Sequence, residues 1–510
     1  MASLLFGGGR NTVARPSDVN PQECTDGENF DLQVGDSSFR PRKPFDLVAT
    51  ATNGSPIRGF AQLVRPNGLT STLIQAGDTM YEWDLGSTFT SRGTVSASSR
   101  LRGGLDQNFN PNSTVIITDL EKQTVVSTWD GTTFQALNHD LGGNFYAKYA
   151  VVAKERVFYA NVKAGIDIPH MIVGSGLLDP ADLTVNDRPS SFLSAADPFY
   201  LVGLDLKPIN GLTEAFGRLV FSTKFGRILE LIGNNAQDFT VENLFFGSNA
   251  YGDEAMTNIG NDVLIGRQGA LDSLRSIETF ADVKTDDVSL WIADEISNST
   301  EWTIVYDRGT QKAFCFPKGE RLVHVLHKPI LDEGRFSPWS KWTTDHALGF
   351  NPQTAFTIIG PEGLPAVYMG DENGNIYRID GSGSQDAGAN DIVTWRESAL
   401  LKVIDEPTDD INGWVDYVRP ESDLTLTLTH KYAGRTVDNQ EQTLTLPAEL
   451  IGEVYAGTAY YGGTFYYGAE NTGRLHRQWF QPAGDGSAAQ IRTSVTDSQD
   501  FRIDEILYEA

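Results

Sequence analysis

The stretch VYMGDENGNIYRID, Val367 to Asp380, places Asp371, Asn373 and Asn375 at alternate positions, as an oxygen-ligand loop for calcium begins. An EF-hand loop also needs Gly at its sixth position and Glu at its twelfth. Counted from Asp371, those positions hold Ile376 and Ser382, and Gly374 falls fourth. The Asn373-Gly374 pair instead predicts a two-residue hairpin turn of type I′, with positive φ at both residues. No metal and no cofactor are expected in the chain.

The other chemistry-bearing residues do not converge. There are seven histidines: His139, His170, His324, His327, His346, His430 and His476. None lies in an H-E-x-x-H pattern, and His324 and His327 on one strand would point to opposite faces, poor geometry for a shared metal. No G-x-S-x-G elbow occurs, and GGGRNTV, from Gly7, lacks the Lys and the spacing of a phosphate loop. Asp286-Asp287 and Asp409-Asp410 have the residue types for glycoside hydrolysis, but among 67 acidic side chains such pairs arise by chance. No catalytic residue is therefore assigned, and the protein is expected not to be an enzyme.

Two aromatic clusters are candidates for contact. GRFSPWSKWT, Gly334 to Thr343, has Trp339 and Trp342 around Lys341, either a stacking platform or core filling, with core filling favoured in a strand. TAYYGGTFYYGAE, from Thr458, sets Tyr460, Tyr461, Phe465, Tyr466 and Tyr467 among glycines and is the candidate exposed interaction surface. STWDGTTF, Ser127 to Phe134, is one residue out of step with the Asp-box turn of sialidases, itself a structural element.

The elements that would carry these residues are strands. Period-two alternation runs through STVIITDL (Ser113 to Leu120), DLTLTLTHKY (Asp423 to Tyr432) and QTLTLP (Gln442 to Pro447). RQGALDSLRSIETF, from Arg267, repeats Leu271, Leu274 and Ile277 every third residue like a helix, yet Gly266 and Gly269 at its start fit a hairpin turn at least as well. A strand-turn-strand design recurs seven times, with second strands anchored at Tyr81, Val126, Phe158, Ile228, Leu271, Phe314 and Tyr377. Several of the intervals approach the ~40–50 residues of a propeller blade. The predicted fold is all-β. A β-propeller of six or seven blades over 61–395 follows an extended N-terminal arm over 1–60 that packs along another surface, and a C-terminal β-sandwich-like lobe occupies 396–510.

Composition narrows the function. The 510 residues carry 67 acidic and 40 basic side chains, a net charge of −27, spread along the chain with no basic region. That opposes a broad grip on nucleic-acid phosphates, although passage of DNA along a negatively lined tube remains compatible. Cys24 and Cys315 are too few for a disulfide framework, so synthesis in a reducing cytoplasm is expected. No basic-then-apolar leader and no apolar run of membrane-spanning length is present, so no membrane anchor is expected.

Several stretches together resemble the tail nozzle and head-completion proteins of short-tailed bacteriophages. They are NPQECTDGENFDLQVGDSSFRPRKPF (from Asn20), IRGFAQLVRPNGLTSTLIQAGDTMYEWD (from Ile57), VLIGRQGALDSL (from Val263) with DDVSLWIADEI (from Asp286), TIVYDRGTQKAFCF (from Thr303) and FSPWSKWT (from Phe336). The resemblance is one of pattern and order over roughly residues 15 to 400. It implies a structural virion protein forming a ring, usually a hexamer, below the portal and adaptor rings, which extends the DNA channel, retains packaged DNA and carries fibres or spikes. Double-stranded DNA would pass without sequence recognition. The alternatives are a carbohydrate-binding or carbohydrate-active propeller and a host-attachment tail protein.

Overall fold

A computed structural model describes the chain apart from residues 1, 5, 21, 34–35, 185–195, 203–205, 216, 225, 247–249, 278–281, 345–351, 380–385, 387–391, 399–400, 403–411, 419–422, 433–439, 447–474, 481–487, 498–501 and 510. It divides into two units: Leu47–Val323 with Phe350–Ile379, and Met1–Asp46 with His324–Gly349 and Asp380–Ala510.

The first unit is a seven-bladed β-propeller. Its innermost strands, in chain order, are Ile57–Val64, Leu101–Gly103 continued by Asn108–Phe109, Phe145–Ala153, Ile209–Ala215, Met256–Asn258, Trp302–Asp307 and Pro352–Ile359. Each blade lies beside the next, the second meeting Phe145–Ala153 through Thr114–Asp119, and the last returns to the first, so the ring is closed. The third blade is typical: Phe145–Ala153, Arg156–Ala164, Ile166–Gly174 and Phe199–Val202 pair antiparallel in sequence order. In the sixth, Trp302–Asp307 and Lys312–Pro317 form the hairpin, and the chain leaves this unit at Val323. The seventh uses an early segment as its outer strand, since Asp46–Thr50 pairs with Asn375–Arg378.

Blade strands are buried on both faces, and their apolar runs show it. In Val157-Phe158-Tyr159-Ala160, Val157 and Tyr159 enter the core shared with the second blade. Phe158 and Ala160 enter the core shared with the fourth. Phe60 and Ala61 likewise divide between the seventh-to-first and first-to-second cores. Side-chain alternation thus feeds each strand into two neighbouring cores, which is why no blade would be stable alone.

Closure between the last and first blades has a polar clasp. The Gln62 side chain, buried, donates to Ile359 O at 2.9 Å and accepts from Ile359 N at 2.7 Å, copying a strand pairing between Ile57–Val64 and Pro352–Ile359. Phe60 and Phe356 pack beside it.

The second unit is a sandwich of two six-stranded sheets. One runs Phe30–Gln33, Asp36–Pro41, Arg502–Glu509, Asn412–Val418, Leu475–Phe480, with Ala2–Leu4 also on Arg502–Glu509. The other runs Cys24–Glu28, Ile392–Ser398, Ala488–Asp497, Leu424–Tyr432, Gln440–Leu446, with Leu401–Lys402 on Ala488–Asp497. Val415, Tyr417, Ile503 and Ile506 of the first sheet meet Leu424, Leu426, Leu428, Ile491 and Val495 of the second in one core. The step from Ile503 to Ile506, both buried, reflects a bulge: Asp416 faces Glu505 but Tyr417 faces Ile503, leaving Asp504 extra.

The extended arm packs on the C-terminal lobe, as strands in both of its sheets, and three buried arginines pin it. Arg42 Nη1 donates to Asp386 Oδ1 at 2.8 Å and Nε to Asn29 Oδ1 at 2.9 Å. Arg396 donates to Phe6 O at 2.9 Å and to Gln22 O. Arg10 pairs with Asp26 at 2.7 Å.

Unit limits differ from those read in the sequence. The propeller begins at Leu47 rather than 61 and ends at Ile379 rather than 395, and His324–Gly349 belongs to the sandwich unit. Buried strands carry the same residue types in either unit, so the sequence does not mark where one gives way to the other.

Candidate functional site at the axial mouth of the propeller

Inner strands that converge on an axis bring their first residues together around its mouth. Here those residues are Arg58, Arg100, Asp253, Trp302, Thr303 and Pro352–Ala355, joined by the turns at Glu121 and Lys318. They enclose a cavity of about 370 Å³, the size of a small-molecule site.

The segment Tyr251–Ala255 is held between the fifth and sixth blades. Tyr251 N donates to Gly266 O at 2.7 Å, Trp302 N to Tyr251 O at 2.9 Å and Ile304 N to Glu254 O at 2.9 Å. Gly252 permits the approach: its φ is +118°, and a Cβ there would lie 2.7 Å from Trp302 O.

From this segment two successive carboxylates reach the second and third blades. Glu254 accepts from Arg102 Nη2 at 2.6 Å and from Arg100 Nη2 at 3.0 Å. Asp253 accepts from Lys148 Nζ at 3.0 Å and Tyr149 OH at 3.4 Å, with Arg100 Nη1 at 3.5 Å. Arg100 also reaches Glu121 at 3.5 Å.

Glu254 and Arg100 are each held in the charged form by their partners. Burial opposes ionisation of Glu254, but Arg102 and then Arg100 outweigh it and keep the carboxyl below its usual range. Burial likewise opposes charge on Arg100, yet Glu254, Asp253 and Glu121 raise it above its ordinary value. Tyr149 is pushed well above its ordinary value by burial and then by Asp253 and Glu254, so it remains a neutral donor. A carboxylate that accepts from two guanidinium groups, as Glu254 does, is a structural partner, and the network acts as a staple.

Among the charged groups lining the cavity, Arg58 stands apart. Its Nη1 donates to the carbonyl of Ala97, and among the described residues it has no acidic partner. Glu301 and Lys318 pair with each other at the rim.

Sequence reasoning found none of these groups, because Arg100 and Arg102 lie more than 150 residues from Asp253 and Glu254 and no local spacing links them. The one signal is the acidic pair directly after a glycine, Gly252-Asp253-Glu254, at the head of a blade.

The residues singled out in the sequence are dispersed. Asp371 is fully buried and caps its own turn: Oδ1 accepts from Asn373 N and Asn375 N, both at 2.8 Å, and Oδ2 from Asn375 Nδ2 at 2.8 Å. Only Gly374 of the Asn-Gly pair has positive φ, +84°, so the turn is not type I′. Asp371 caps a longer loop that needs a single left-handed residue.

Asp130 caps the STWDGTTF turn in the same way, accepting from Thr132 N at 2.8 Å and Thr133 N at 2.7 Å. Trp339 and Trp342 are fully buried and fill core. His324 and His327 are both buried, and His327 Nε2 bonds Ser340 Oγ at 2.8 Å. RQGALDSLRSIETF contributes a hairpin turning at Gly269, φ +68°.

Both cysteines are buried thiols, and burial pushes Cys24 up to about 11, so neither is a reactive thiolate at neutral pH. Among the described residues no group of three or more His, Cys, Asp or Glu is placed to hold a metal. Tyr460, Tyr461, Phe465, Tyr466 and Tyr467 lie outside the described residues.

No protein-family model matches the chain, and no curated protein matches it. Among solved structures, it is similar to the computationally designed Ika8 protein (12% identity, 66% of this chain and 99% of that one, TM-score 0.37). It is also similar to the N-terminal domain of Nup159 (9%, 69% and 98%, TM-score 0.40). A third is BBS1N, solved in complex with ARL6DN (8%, 67% and 98%, TM-score 0.41). At these TM-scores the likenesses carry no functional argument, and the propeller rests on the chain's own strand order.

Proposed function

We propose that this chain is a structural virion protein, the tail nozzle of a short-tailed bacteriophage, whose copies form a ring that extends the DNA channel below portal and adaptor, retains packaged DNA and opens for ejection. The observation that carries this reading is the stapled axis. The ion pairs of Arg100, Arg102 and Lys148 with Asp253 and Glu254 tie the second and third blades to the segment that enters the fifth, across the mouth of the propeller, which suits a blade ring serving as scaffold rather than as conduit. DNA would run along the shared axis of several copies, beside surfaces whose net charge of −27 per chain repels phosphate and keeps the duplex sliding. The pairing of Asp253 and Glu254 with guanidinium and ammonium groups also supports a structural role for these two acids.

Electron microscopy of the purified protein, alone and mixed with portal and adaptor rings, tests the reading. The expected result is a closed ring, six-fold in the simplest case, with a central channel and specific docking to the adaptor. A chain that stays monomeric at all concentrations and never joins those rings overturns it. So does release of sugar from a polysaccharide by the purified monomer, which would favour a carbohydrate-active propeller.

A further inference from the structure

The stapled network leaves a cavity above it whose chemistry is unlike the rest of this acidic protein. Its volume, about 370 Å³, suits a single sugar-sized molecule. Arg58 enters its wall as a guanidinium without an acidic partner among the described residues, bound only to a backbone carbonyl. A guanidinium offers five N–H donors in a fork that matches a carboxylate, so one bond to Ala97 O leaves most of its donors unused.

The same wall holds three carboxylates that are ion-paired, Glu301 with Lys318, Glu121 with Arg100 and Asp253 with Lys148, and still partly open to solvent. The side chains of Glu301, Glu121 and Asp253 are 44%, 41% and 25% exposed. Carboxylates of this kind accept from hydroxyl groups while repelling a bare anion. Phe316, Pro317 and Pro352 supply the apolar part of the wall. A guanidinium without an acidic partner among the described residues, in one wall with paired carboxylates that keep open lone pairs and with apolar groups, is the complement of a molecule with one carboxylate and several hydroxyls.

We propose that the axial mouth binds a small polyhydroxy carboxylate of the sugar-acid class, with Arg58 pairing with its carboxylate and Glu301, Glu121 and Asp253 accepting from its hydroxyls. The site stands on the cavity alone and is independent of whether copies of the chain form a ring.

Titration calorimetry and ligand-observed NMR on the full chain test it with three probes: glucuronate, glucose as its neutral counterpart, and propionate as a carboxylate without hydroxyls. Glucuronate is expected to bind at least tenfold more tightly than either of the others, a comparison that needs no variant. In R58M, which keeps the apolar stem, glucuronate affinity is expected to fall about tenfold or more towards that of glucose, as loss of a charged hydrogen bond requires. R58K is expected to retain part of it. Equal binding of glucuronate and glucose by the unaltered chain overturns the proposal, as does failure of glucuronate to bind at tens of millimolar or unchanged affinity in a folded R58M. Binding of propionate as tight as that of glucuronate overturns the assignment of the hydroxyl acceptors.

Discussion

At the scale of single residues, the recurring device is an aspartate at the end of a blade strand that satisfies the turn beyond it. Asp84 accepts from Gly86 N and Thr88 N, Asp119 from Gln123 N and Thr124 N, Asp307 from Gly309 N, and Asp371 from Asn373 N and Asn375 N. Short polar side chains that bond their own backbone two to five residues on are how tight turns keep their amides paired. The same oxygens at alternate positions imitate the start of a calcium loop, which is why the residue types alone are ambiguous. Asp371→Ala should cost about 2 kcal/mol, because the amides of Asn373 and Asn375 lose the buried acceptor that holds the turn. The melting temperature of the unaltered protein should not move on adding a chelator. A large drop in calorimetry with chelator would make Asp371 a ligand instead.

Glu254 is read through pH. Its carboxyl is depressed below the ordinary 4.5, so its contribution is complete above that value and fades as pH falls through the lower folded value. Glu254→Gln should lower stability by about 3 kcal/mol at pH 7, since Arg100 and Arg102 lose a buried partner. Denaturant melts at pH 7 and below pH 4 should show the gap to the unaltered chain closing in acid; a gap constant with pH would mean that the charge is not what matters.

At the scale of elements, the seven anchor residues fall in seven different blades, so the repeat was legible. Tyr81, Val126, Ile228, Leu271 and Tyr377 mark the third strand of a blade or its approach, whereas Phe158 and Phe314 lie on second strands. That difference makes the intervals uneven, from 32 residues between Val126 and Phe158 to 70 between Phe158 and Ile228. Hairpins are local, and their turn chemistry is written beside them. Ring closure is not, since it joins strands at opposite ends of the repeat through Gln62, a polar side chain in an apolar run. Gln62→Ala should leave Ile359 N and O unpaired and lower stability by roughly 2–3 kcal/mol. Hydrogen exchange should rise first in Ile57–Val64 and Pro352–Ile359; protection unchanged in both strands would count against the clasp.

At the scale of the whole molecule, a net charge of −27 acts on any assembly of copies. Copies of an acidic chain repel, so the proposed ring should form more readily as salt rises and screening shortens below about 10 Å. The all-β class, the propeller and an arm-and-lobe arrangement were determined by the sequence itself, because period-two burial and turn residues are local properties of the chain. The blade count, the excursion His324–Gly349 into the sandwich, the pinning of the arm by Arg42 on Asp386 and the stapled axis were decided only in three dimensions. Each joins groups that are far apart in the chain or alike in composition, and a buried ion pair leaves no trace in the spacing of its partners. Whether Arg58 is neutralised was settled in the same way, by which side chains the closed ring brings to its mouth and which it keeps away.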